Sequence, residues 1–105
     1  MDNNKFKFMF LRGEHNFPIG CIAMRRFENR IEYQISTLNP KDRFDRRLAR
    51  QLALGRLIEN PIKVFSVTPK LDGTYKIIME HIRLNDEMPK RAKVAATKWL
   101  KDTKK

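Results

Sequence analysis

The chain has 105 residues, 41 % of them hydrophobic and including seven Phe, which fits one compact domain over residues 1–105 with material for a core. Its single cysteine, Cys21, excludes an intramolecular disulfide and a cysteine-rich zinc site, and no apolar run is long enough to span a bilayer, so a cytoplasmic location without a membrane partner is expected. Twenty-three Lys plus Arg against twelve Asp plus Glu give a formal charge of +11, which favours polyanionic partners: nucleic acid first, then acidic protein surfaces or anionic lipid.

The segment from Lys5 to Leu11 alternates, with Phe6, Phe8 and Phe10 on one face and Lys5 and Lys7 on the other, as in a half-buried strand. Residues 12–18 hold Gly13, Asn16 and Pro18 and read as a loop. A second strand follows from Ile19 to Phe27. It is apolar on both faces early on, with Gly20, Ile22 and Met24 on one and Ile19, Cys21 and Ala23 on the other, which suits a central position. Glu28-Asn29 is a short turn, since Asn tolerates left-handed backbone. From Arg30 to Leu38, Ile31, Tyr33 and Ile35 alternate with Arg30, Glu32, Gln34 and Ser36. Three such strands on short connections predict an antiparallel meander with one apolar face to be covered.

A long helix is the predicted cover. Asn39 reads as its N-cap, Pro40 as its first residue, Asp42 and Asp45 as acids near its positive end, and Pro61 as its stop. Phe44, Leu48, Leu52 and Gly55, with Ile58 beside them, share the face expected to pack on the sheet, and Gly55 would let helix and sheet approach closely. Arg43, Arg46, Arg47 and Arg50 fall at i, i+3, i+4 and i+7 on a separate stripe that Leu54 and Leu57 continue.

Beyond Pro61, Ile62 to Val67 is extended, either a fourth strand or an ordered crossover, and residues 68–73 form a turn. Tyr75, Ile78, Met79 and Ile82 have helical spacing; Tyr75, Ile77 and Met79 also alternate, so a hairpin competes, and the continuation to Ile82 favours the helix. A last helix is capped by Asn85 or Asp86, with Glu87 and Pro89 in its first turn and Ala92, Ala95, Ala96 and Trp99 buried. Residues 1–4 and 102–105 are expected to be disordered. The fold class is therefore α+β: a three-stranded antiparallel meander on a long helix, then a short extended segment and two further helices.

Four guanidinium groups on one helix flank suit phosphate oxygens, and they lie where the helix dipole disfavours cations, so a bound anion would relieve both penalties. The competing reading is intrahelical pairing, in which Asp42 reaches Arg46 and the two acids neutralise part of the stripe. Lys90, Arg91, Lys93, Lys98, Lys101, Lys104 and Lys105 form a second basic region, which is either a solvated helix face with a frayed tail or an aid to holding a backbone polyanion. Catalysis has little to rest on. His15 lies in a polar loop and His81 in a helical pattern, and neither has a second histidine, paired carboxylates at metal spacing or a phosphate-gripping glycine loop beside it. Cys21 reads as a small buried hydrophobe. The Phe6, Phe8, Phe10 row reads as core, with base stacking on an open sheet as the alternative.

The β-β-β-α order from Lys5 to Asn60 with a basic helix resembles, in topology, the three-stranded-sheet DNA-binding domains at the N-termini of some phage and transposon integrases. It is also similar to double-stranded-RNA-binding domains without their first helix. The small basic make-up resembles accessory proteins of phages and mobile elements. In the integrase-type readers the sheet enters the groove, which here implies a free face carrying Lys5, Lys7, Arg30, Glu32 and Gln34. The expectation is a non-enzymatic nucleic-acid-binding protein with no cofactor or metal, contacting DNA or RNA through Arg43, Arg46, Arg47 and Arg50, assisted by Lys90, Arg91, Lys93 and Lys98. The alternative is a phage-type inhibitor or regulator that binds an acidic protein surface, motivated by Leu54 and Leu57 beside the arginines.

Overall fold

Phe8 and Phe10 alternate with Met9 and Leu11 along β1 (Lys7–Arg12), which pairs antiparallel with β2 (Pro18–Arg26), and β2 with β3 (Arg30–Thr37). This is the expected meander, in a computed structural model that describes residues 6–13, 16–27, 30–38, 43–65 and 74–103. The readings for Asn39, Pro40, Asp42, His15, the Glu28-Asn29 turn and the 68–73 turn lie outside those residues.

The helix α1 (Arg46–Glu59) starts six residues later than Pro40. Residues 43–45 are not helical, and Asp45 is the N-cap, its carboxylate accepting from the backbone N–H of Arg47 at 3.0 Å and of Leu48 at 3.1 Å. Asp45 satisfies two N–H groups that would otherwise lack partners, so helix propagation is stabilised from there. The extended segment forms a fourth strand, β4 (Ile62–Phe65), antiparallel to β3 with Glu32 opposite Lys63 and Arg30 opposite Phe65. The next segment is helical, as its spacing through Ile82 predicts: α2 spans Thr74–Leu84. The last helix, α3 (Lys90–Thr103), begins later than an Asn85 or Asp86 cap predicts. Asn85 instead closes a turn, its side chain accepting from Glu87 N–H, while the Pro89 carbonyl accepts the first helical N–H groups, from Ala92 and Lys93. The helix reaches two residues into the tail expected to be disordered.

Which helix covers which face differs from expectation. Leu11, Ile22, Met24, Ile31, Tyr33 and Ile35 pack on α2 and α3, through Ile78, Met79 and Ile82 on one and Ala92, Ala95, Ala96 and Leu100 on the other. The other face, with Phe8, Phe10, Cys21 and Ala23, takes α1 through Ala49, Ala53 and Leu57. The sheet therefore separates two cores. The seam of α1 is not Phe44, Leu48, Leu52 and Gly55. Phe44 is half-buried, edge-on to Phe10, but Leu48, Leu52, Gly55 and Ile58 are exposed. The alanines carry the seam because their small side chains let the helix seat closely over Cys21 and Ala23. Nothing lies within 4 Å of a side chain built on Gly55, so it mediates no close approach. That role falls to Gly20 in β2, where a Cβ would come within 2.1 Å of the Ser36 carbonyl oxygen.

Polar groups tie the layers. The Ser36 hydroxyl donates to the Ala49 carbonyl at 2.8 Å, and Arg56 Nη1 to the Ile35 carbonyl at 3.0 Å, both holding α1 to β3. On the opposite face the Tyr33 hydroxyl and His81 Nδ1 hydrogen-bond at 2.5 Å, giving His81 a structural partner. Burial pushes the Tyr33 hydroxyl well above its ordinary range, so it stays protonated.

Candidate functional site

Three groups of basic side chains stand out among the described residues, placed by the sheet. The first is on α1. Arg46, Arg47 and Arg50 are exposed on its first turns, and Arg43 is exposed ahead of the cap rather than on the helix stripe. No carboxylate among the described residues forms an ion pair with any of the four, because Asp45 is engaged by backbone N–H groups. Arg46 lies over the Phe10 ring, 5.5 Å from its centroid, which fixes the guanidinium beside the helix N-terminus. Leu57, expected to extend this stripe, is fully buried and Leu54 is half-buried, so neither offers an exposed apolar continuation.

The second group is on the opposite side of the sheet. Arg83, at the end of α2, joins Lys90, Lys93, Lys98 and Lys101 of α3 around an open cleft of about 620 Å³ with one carboxylate, Asp86. The lysines recur at helical spacing on the flank of α3 turned from its alanine seam, so the helix that buries Ala92, Ala95 and Ala96 also presents them. Lys93 Nζ pairs with Asp86 at 3.2 Å, but Asp86 is 99 % exposed, so solvent screens the pair. Lys98 Nζ approaches the Gly13 carbonyl at 3.4 Å, holding α3 to the β1–β2 loop. Arg91 leaves this group: its Nη1 donates to the Leu38 carbonyl, bracing α3 against the end of β3. The α1 arginines and the α3 lysines therefore lie on opposite sides of the sheet.

The third group is a cluster on β2 and β3 that the sequence does not show as a unit. Arg25 and Arg30 converge on Glu32, which is 3 % exposed. Arg25 donates through Nε at 2.9 Å and Nη2 at 2.8 Å to one carboxylate oxygen, and Arg30 Nε donates to the other at 2.9 Å. Burial pushes the Glu32 carboxyl up, but the hydrogen bonds from Arg30 and Arg25 outweigh it and leave it below its ordinary value. Both guanidinium groups also lie over the Phe27 ring, at 5.5 Å and 4.0 Å. The sequence signal is Arg25, Arg30 and Glu32 spaced around a turn, but only the register that sets Arg25 opposite Glu32 brings them together. The free sheet face expected to carry Lys5, Lys7, Arg30, Glu32 and Gln34 is not one face. Lys7 pairs with Met24 and lies on the α2–α3 side, whereas Arg30, Glu32 and Gln34 are on the α1 side; Lys5 is outside the described residues.

Burial raises the Cys21 thiol to about 11, so it is protonated and unreactive in the folded chain. Among the described residues no group of three or more His, Cys, Asp and Glu side chains is placed to hold a metal ion, and no helix is long and apolar enough to cross a membrane. No protein-family model, curated protein or solved structure matches the chain.

Proposed function

We propose that this chain is a non-enzymatic nucleic-acid-binding protein that holds the phosphate backbone with low sequence specificity. The observation that carries the reading is the cleft along α3, where Lys90, Lys93, Lys98 and Lys101 gather around one exposed carboxylate, Asp86, with Arg83 at the rim paired to Glu80 at 2.8 Å. Such a concentration of charge is relieved by a polyanion, whose condensed counterions are released on binding. Lysine ammonium groups act as mobile point charges, so they attract phosphate without reading bases. The exposed guanidinium groups of Arg43, Arg46, Arg47 and Arg50 offer a second phosphate-binding surface across the sheet, suited to a separate stretch of the same polymer.

The test is binding to a random duplex and to a single strand over a range of salt. Affinity should fall log-linearly with salt. Replacing Lys90 and Lys101 by Gln should reduce the duplex slope by about 0.9 for each phosphate that is no longer neutralised. Absence of binding at low salt would remove the reading.

One observation favours the second reading, a module that binds an acidic protein surface. Leu48, Leu52 and Ile58, the last 58 % exposed, leave the outer side of α1 apolar beside Arg47. Recovery of a partner that survives nuclease treatment, and that Leu52→Asp abolishes, would support this reading over the first.

A further inference from the structure

Beyond the seam of α1, the same sheet face continues as a strip that belongs to neither core. The register places Arg25, Glu32 and Lys63 in one row across β2, β3 and β4, and Arg30 beside Phe65 in the next. Phe6 lies at the β1 end, its ring 5.7 Å from the Arg25 guanidinium, and Phe27 sits against both arginines. Phe65 is 70 % exposed at the β4 end, and Phe6 is exposed.

Four properties of this strip point to one ligand chemistry. Among the described residues it carries three cations, and the one carboxylate, Glu32, is spent on two of them, which leaves the strip positive. Its arginines are preorganised: Glu32 beneath and Phe27 alongside fix both planes, so little side-chain freedom is left to lose on binding. The terminal nitrogens of Arg30 have no partner among the described residues and remain available as donors. Finally, aromatic faces alternate with the cations over the width of the sheet, about 14 Å for three strand spacings.

We infer that this strip is a stacking platform for single-stranded nucleic acid, with bases on Phe65 and Phe6 and phosphates against Arg25, Arg30 and Lys63. A duplex keeps its bases stacked inside and has no free face to offer these rings, whereas an unpaired base does. Charge complementarity selects a polyanion, and the exposed rings select one with unpaired bases. The inference rests on the nucleic-acid reading above and narrows it to unpaired strands at a surface that reading does not use.

The experiment measures anisotropy of labelled oligothymidine, oligouridine and a mixed duplex with the intact chain, comparing wild type with Phe65→Ala, Phe65→Tyr and the Lys90→Gln/Lys101→Gln pair. Phe65 is exposed, so its truncation leaves the fold intact. Phe65→Ala should weaken single-strand binding by about tenfold while leaving the salt slope and duplex binding unchanged, and Phe65→Tyr should restore it. Single-strand binding that Phe65→Ala leaves at the wild-type level, while the lysine pair weakens it, would overturn the platform and leave the backbone-binding function standing. Failure of wild type to bind any of the three at low salt would overturn both.

Discussion

Two glycines make opposite predictions. A methyl group on Gly20 would press into the backbone of the neighbouring strand, so Gly20→Ala should destabilise the chain by about 1–3 kcal/mol in chemical denaturation. Gly55 meets nothing, so Gly55→Ala on the exposed helix should stabilise it by about 1 kcal/mol. Sequence alone points the other way for Gly55 and does not single out Gly20. Helical spacing puts Gly55 on the expected buried face, while the close approach that matters at Gly20 is to Ser36, and only strand pairing reveals it. Glu32 and Cys21 bracket the pH range of stability. Glu32 has a folded pKa below its unfolded value, so its contribution is present above the ordinary carboxylate range and is lost as pH falls through the folded value. For the thiol the folded pKa is the higher, so stability is lost as pH rises from 9.0 to about 11. Thermal melts across pH should show a smaller acid loss for Glu32→Gln and a smaller alkaline loss for Cys21→Ala than for wild type, the rest of the alkaline loss coming from the buried Tyr33 hydroxyl.

At the scale of elements, strands are easier to read than their partners. Alternation in Ile31, Tyr33 and Ile35 shows that a face is buried but not by what, and the helix next in sequence is the natural candidate. That helix packs on the other side through Ala49 and Ala53, residues that carry little weight beside the leucines when apolar size is the guide. The basic flank of α3 is legible because a single helix displays it, while the arginine–glutamate cluster needs two strands in register. The start of α1 rests on one cap, and Asp45→Ala should cost about 1 kcal/mol and fray the first turn, measured by helical circular dichroism and denaturation. A gain or no change would show that Arg46 and Arg47 do not depend on that cap for their placement.

For the molecule as a whole, a formal charge of +11 on 105 residues is an internal repulsion as well as an attraction for others. The melting temperature should therefore rise as sodium chloride screens the surface from low to moderate ionic strength, whereas affinity for any polyanion should fall over the same range. A melting temperature that drops with salt would mean that pairs such as Arg25–Glu32 outweigh the global repulsion.

The inner strand β2 is greasy on both sides, so polarity cannot tell it which way up to lie. Its two sides differ in bulk: Cys21 and Ala23 sit under the alanine helix, Ile22 and Met24 under the paired helices. A slip by one residue would bury nothing polar at these positions but would drive isoleucine and methionine under α1 and leave voids beneath α2 and α3. Volume, rather than water-aversion, is thus what orients this sheet, and exchanging the sizes of Cys21 and Ile22 would remove that orientation while leaving the hydropathy profile almost unaltered.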